Sequence, residues 1–103
     1  MSASRKRRSL LREVNEQIRN ITASFALHDS TFLVVCECEQ PGCVERVRVP
    51  MVVYDELRGD RERFVVVTGH ENTTIERITA SDDGYAVVRA LRHHVQAVPL
   101  PAA

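Results

Sequence analysis

Leu10, Val14, Ile18, Ile21 and Phe25 recur at spacings of four, four, three and four, which lines one face of a helix. Arg12, Glu13, Glu16, Arg19 and Asn20 fall mostly on the other side. Ser9 suits the N-cap, although Arg12 stands where a capping box has Glu or Gln. The spacing predicts an amphipathic helix of about 17 residues from Ser9 to Phe25. A small domain needs such a stripe for its own core, so the stripe is expected to pack at home, on the sheet that follows.

After "HDST" the period changes. "TFLVVCEC" is rich in β-branched residues and reads as a strand. "EQPGC" reads as a turn, because Pro presets one dihedral and Gly tolerates positive φ. "VERVRV" then alternates, with Val44, Val47 and Val49 apolar, and returns as a second strand. A short helix is expected over "PMVVYDELR", with Pro50 near its first turn and Gly59 ending it. "RFVVVTGH" predicts a third strand, and "TIERITA", "SDDG" and "YAVVRAL" a second hairpin with an Asp-Gly turn. The expectation is an α+β fold: an N-terminal amphipathic helix on a small antiparallel sheet of two hairpins, with a short middle helix. Residues 1–8 are expected to form a disordered basic arm, 9–92 a single domain and 93–103 a loose tail.

A chain of 103 residues supports one modest core and gains from a staple. No apolar run approaches the ~18 residues of a membrane span, and no apolar stretch follows the charged opening as a signal peptide requires. A cytoplasmic protein is expected. Net charge is zero but uneven: Arg5, Lys6, Arg7, Arg8, Arg12 and Arg19 against Glu13 and Glu16 make the first 20 residues +4. Such an opening is a solvated terminus, or a weak, sequence-independent contact to nucleic acid through Arg5, Lys6, Arg7 and Arg8.

The three cysteines all lie in "CECEQPGC", residues 36–43. An odd count in such a chain argues against a disulfide framework and for metal or thiol chemistry. Residues two apart on a strand share a side, so Cys36 and Cys38 aim at one point, with Glu37 facing away. The turn through Pro41 and Gly42 brings Cys43 back to it. A cysteine is often simply a small buried hydrophobe, but burial does not explain Cys38 in a polar turn. Three thiolates in one loop point to Zn²⁺, which prefers sulfur and nitrogen. A closed site needs a fourth ligand. His70 is best placed, after a buried-looking strand and beside Gly69; His28 is the second choice, and His93 and His94 sit near the tail. An iron–sulfur cluster is disfavoured by the lack of a fourth cysteine.

The stretch from Phe32 to Leu91, with the helix before it, resembles a group of small bacterial proteins common in actinobacteria. The features that carry the resemblance are "REVNEQIR" at Arg12–Arg19, "CEC" at Cys36–Cys38, Cys43, Tyr54–Arg58, "FVVVTGH" at Phe64–His70 and the hairpin Glu76–Val88. It covers about nine-tenths of the chain, and its most specific parts are "CEC-x4-C" and "GH". Two departures stand out: Glu39 and Gln40 replace a glycine and an acidic residue, and the "RKRR" opening is long. The resemblance implies a zinc-binding fold and no particular activity.

An enzyme is not expected. Three thiolates blunt a metal's power to acidify water, and the zinc-deaminase order H-x-E before P-C-x-x-C is absent. Glu37, Glu39 and Glu71 flank the site, but flanking carboxylates are usually solvated surface. Five aromatics leave few stacking platforms for single strands. The expectation is a zinc-stapled module, monomer or homodimer, acting through an unknown protein partner. The rival is a switch whose thiolates release the metal on oxidation.

Overall fold

Alternating and continuous apolar runs each find the surface they need. In the computed structural model, which describes residues 3–24 and 31–91, helix α1 (Ala3–Ser24) precedes strands β1 (Thr31–Val35) and β2 (Arg46–Pro50). Helix α2 (Met51–Arg58) and strands β3 (Arg63–Val67), β4 (Glu76–Ser81) and β5 (Tyr85–Ala90) follow. Both expected hairpins are present. β1 and β2 pair antiparallel, with Phe32 opposite Val49 and Val34 opposite Val47. These four side chains are buried on one face, as the period of two demands. The other three strands form a separate antiparallel sheet in the order β3-β5-β4.

β5 lies in the middle of its sheet, and β3 and β5 have both faces covered. On one face Val65, Tyr85 and Val87 join Phe32, Val34, Val47 and Val49 and the α2 residues Met51, Tyr54 and Leu57. On the other, Phe64, Val66, Ala86 and Val88 pack with Cys36 and Cys38. Burial on both sides is why "FVVV" and "YAVV" run continuously apolar instead of alternating. β4 is covered only at Glu76 and is otherwise exposed; its register shifts between Ile78 and Ala80. Such an irregularity blunts an edge. Pro50 caps α2 at its N-terminus with φ −64°, as expected of a residue with no N–H to satisfy.

α1 departs from expectation in two ways. It begins at Ala3, so Arg7 and Arg8, expected in a disordered arm, are helical. Its orientation is also inverted: Leu10, Val14 and Ile21 are 61%, 44% and 59% exposed. Among the described residues of the predicted stripe, only Ile18 touches the core. Phe25, His28 and the tail 93–103 lie outside the described residues.

The face turned inward is polar, and backbone hydrogen bonding is the reason. Asn15, fully buried, donates through Nδ2 to the Val35 carbonyl at 2.8 Å and accepts the Val35 N–H on Oδ1 at 2.8 Å. It therefore satisfies the outer edge of β1 as a neighbouring strand would. Arg12 donates to the carbonyls of Arg58, Asp60 and Arg63 around the α2–β3 turn. Carbonyls in turns lack ladder partners, and one left unpaired on burial costs about 1–3 kcal/mol. At the C-terminal half, Arg19 pairs bidentately with Asp55 of α2 at 2.8 and 2.9 Å.

The stability effects of α1 substitutions should therefore be opposite to those its hydropathy suggests. Asn15→Ala, which strands both Val35 groups, is expected to cost about 2–4 kcal/mol in urea denaturation. Leu10→Gln is expected to stay within about 0.5 kcal/mol. A larger loss for Leu10→Gln than for Asn15→Ala would contradict this orientation of α1.

Candidate metal centre

The end of a strand and two turns bring three sulfurs and an imidazole nitrogen together. The ladder of β1 and β2 extends one step past Val35, with Cys36 N–H bonded to the Glu45 carbonyl at 2.9 Å, and then opens. Beyond it the chain reverses at Gln40–Cys43, closed by the Cys43 N–H to the Gln40 carbonyl at 3.1 Å. Pro41 occupies the second position and Gly42, at φ +82°, the third, the pattern of a type II turn. A second turn, Val67–His70, is closed at 2.8 Å with Gly69 at φ +97°. Residues with a Cβ resist that geometry, so Gly69 is what lets the chain deliver His70 straight from the end of β3.

The ligand atoms of Cys36, Cys38, Cys43 and His70 all lie within 4.8 Å of one another. His70 Nδ1 stands 3.6 Å from Cys36 Sγ and 3.7 Å from Cys43 Sγ. A tetrahedral centre with metal–sulfur bonds of about 2.3 Å and metal–nitrogen bonds of about 2.0 Å separates its ligand atoms by about 3.5–3.8 Å. The cluster could thus hold a metal ion, and its donors are those of a closed, thiolate-rich site. Cys36 and Cys38 are buried and Cys43 is half-buried.

Backbone donors prepare the sulfurs for negative charge. Val67 N–H donates to Cys36 Sγ at 3.2 Å. Burial nevertheless pushes the Cys36 thiol up. For Cys38 burial acts the same way but is outweighed by the Gln40 N–H and by His70, Cys43 and Cys36, which draw the thiol down. Outside the cluster, Glu71 accepts the Gly69 N–H at 2.9 Å and steadies the turn that carries His70. Glu39, Gln40, Pro41, His70, Glu71, Asn72 and Thr73 line an open groove of about 430 Å³ on this side.

Glu37 corrects the view of the flanking carboxylates as solvated surface. It does face away from the thiolates, but into the interior, and its exposure is 0%. Its N–H donates to the Val65 carbonyl at 2.8 Å while its Oε1 accepts the Val65 N–H at 3.0 Å, so one residue completes the free edge of β3. Oε2 accepts from Asn15 Nδ2 at 2.7 Å. Burial raises its pKa to about 7, against the pull of Asn15, Val65, Arg12 and Arg8 toward the ionised form.

The basic residues of α1 close over the same loop. Arg7 spans it, donating to the Cys38 carbonyl at 2.8 Å and the Cys43 carbonyl at 2.7 Å. Arg8, itself buried, donates to the Glu37 carbonyl at 2.8 Å and pairs with Glu76 at 2.7 Å. Its guanidinium lies 4.3 Å over the Phe64 ring. Asn15, Arg7 and Arg8 were not legible as parts of the site; the one available clue was an Asn in mid-helix, where its propensity is poor.

Two substitutions separate the roles of these groups. Glu37→Gln keeps the shape but presents an NH2 to one of two donors, Val65 N–H or Asn15 Nδ2. It is expected to cost about 2–3 kcal/mol, read as a Tm lower by about 10 °C or more. Cys38→Ser is expected to abolish stoichiometric metal and to lower Tm by a similar ~10 °C; a Cys38→Ser protein that melts with the wild type would rule out a structural metal. No protein-family model, curated protein or solved structure matches this chain.

Proposed function

We propose that this chain is a small interaction module stapled by one structural Zn²⁺ on Cys36, Cys38, Cys43 and His70. The observation that carries the metal is the convergence of three sulfurs and an imidazole nitrogen within 4.8 Å of one another, with the nitrogen 3.6 and 3.7 Å from two of the sulfurs. Zinc follows from the donors: borderline-soft, without geometric preference of its own, it favours Cys3His sets. When bound, the ion supplies cross-linking rather than Lewis-acid chemistry, since four protein donors leave no position for a substrate. The residues do the rest: Val67 N–H and Gln40 N–H support the thiolates, and Glu71 holds the turn under His70.

Interaction with a protein is favoured by the outward stripe of α1. Leu10, Val14 and Ile21 follow one another along the exposed face of a helix anchored from its other side. Nucleic-acid contact through the opening is less favoured. Of its four cations, Arg7 and Arg8 already donate to the protein's own carbonyls, while Lys6 is exposed. No helix among the described residues is long and apolar enough to cross a membrane.

Elemental mass spectrometry on untagged protein, purified reduced and without chelator, is expected to find one zinc per chain. Chelation should lower Tm, and zinc should restore it. Protein that carries no metal and whose melting is unmoved by zinc would overturn the staple.

A further inference from the structure

On the reading that the Cys3His cluster holds a metal, we propose that the metal also controls whether the N-terminal half of α1 is docked. That half is fastened to the body chiefly through the metal loop, whereas Arg12, Glu16 and Arg19 hold the rest of the helix to α2 and the turn after it.

The contacts of α1 show the asymmetry. Leu10, Val14 and Ile21 face outward, Leu11 is half-buried, and Ile18 alone of the described stripe residues packs on the larger core. Docking rests instead on hydrogen bonds to backbone carbonyls. Arg7 needs the carbonyls of Cys38 and Cys43 at a fixed separation to bond both at once. Arg8 needs the Glu37 carbonyl, and Asn15 needs Val35 and the Glu37 carboxylate. Cys38 and Cys43 are the ends of the turn that the metal would close, and Glu37 lies between two ligands. Losing the metal frees the distance between those carbonyls, because the cross-link from Cys38 to Cys43 through the ion is gone. Arg7 then keeps at most one of its two partners.

The rest of the fold does not share that dependence. The larger core, built on Phe32, Val34, Val49, Tyr54, Leu57 and Val87, contains no cysteine and lies on the opposite face of β3 and β5. It holds the β1–β2 hairpin, α2 and the three-stranded sheet together without the loop. The smaller core includes Cys36 and Cys38 and is the one on which Arg8 lies, over Phe64. Metal loss should therefore open one side of the molecule, the side that carries the N-terminal half of α1. A helical segment this short is only marginally stable once released into water, so undocking should also melt it. Leu10, at the N-terminal end of the outward stripe, would be presented on a rigid helix only in the metal-loaded state.

Hydrogen exchange read by mass spectrometry on the full chain tests this, with metal bound, after chelation, and after adding zinc back. On chelation, amides of residues 6–11 are expected to lose all their protection, and those of β2, α2, β3 and β5 to exchange no more than about 30-fold faster, the factor that a Tm lower by ~10 °C implies. Zinc should reverse the change. Arg7→Gln provides an independent arm: it should speed exchange in the first half of α1 while the protein still carries one metal per chain. Loss of all protection in α1 and the sheet together would overturn the proposal and leave the metal as a staple of the whole domain. Protection of residues 6–11 that survives chelation, or that survives Arg7→Gln, would overturn it as well. Protein that binds no zinc, with exchange indifferent to it, would overturn the metal reading itself.

Discussion

A buried carboxylate organises this molecule. Glu37 has no exposure, yet each of its oxygens accepts a hydrogen bond, from Val65 N–H and from Asn15 Nδ2. Asn15 in turn satisfies both backbone groups of Val35. Two side chains thus finish the open edges of two sheets and tie a helix between them. Unpaired edge groups at these places would each cost about 1–3 kcal/mol, which is why polar residues occupy them despite their own desolvation. The carboxylate is held in balance, with burial favouring its neutral form and its donors the charged one.

The cluster of cysteines is built around the same residue. Because alternate residues of an extended chain face opposite ways, turning Glu37 inward sends Cys36 and Cys38 out toward Cys43 and His70. The carboxylate and the sulfurs are two sides of one short stretch. Arg7 and Arg8 then bridge from α1 to the carbonyls of that stretch. Cations near the loop would also offset the negative charge of three thiolates on a bound metal. A helix, a turn and a cluster of donor atoms are in this way one connected unit, laid over the smaller of two cores.

That arrangement leaves the apolar side of α1 without a role inside the domain. Leu10, Val14 and Ile21 contribute little to the fold that is visible here, and three such residues in line on one face are more than scattered surface hydrophobes. A helix anchored by polar contacts can present its apolar face outward without emptying the core of its domain. The hydrophobic residues of β1, β2, α2, β3 and β5 already fill that core.

The local elements were readable from the chain. Periods of two and of nearly four, turn residues at Pro41, Gly42, Gly69 and Gly84, and three cysteines in eight positions are short-range signals. They depend only on dihedral preferences and on which neighbours share a side, so the hairpins, both helices and the meeting of Cys36, Cys38, Cys43 and His70 could be anticipated. What hydropathy could not decide was which face of α1 meets the body. That choice depends on where unpaired carbonyls and N–H groups are left by the docking of two sheets, and such positions exist only in three dimensions. Tertiary structure therefore turned Arg7, Arg8, Arg12 and Asn15 inward and buried Glu37, because that is where backbone groups needed partners, and it left Leu10, Val14 and Ile21 outside.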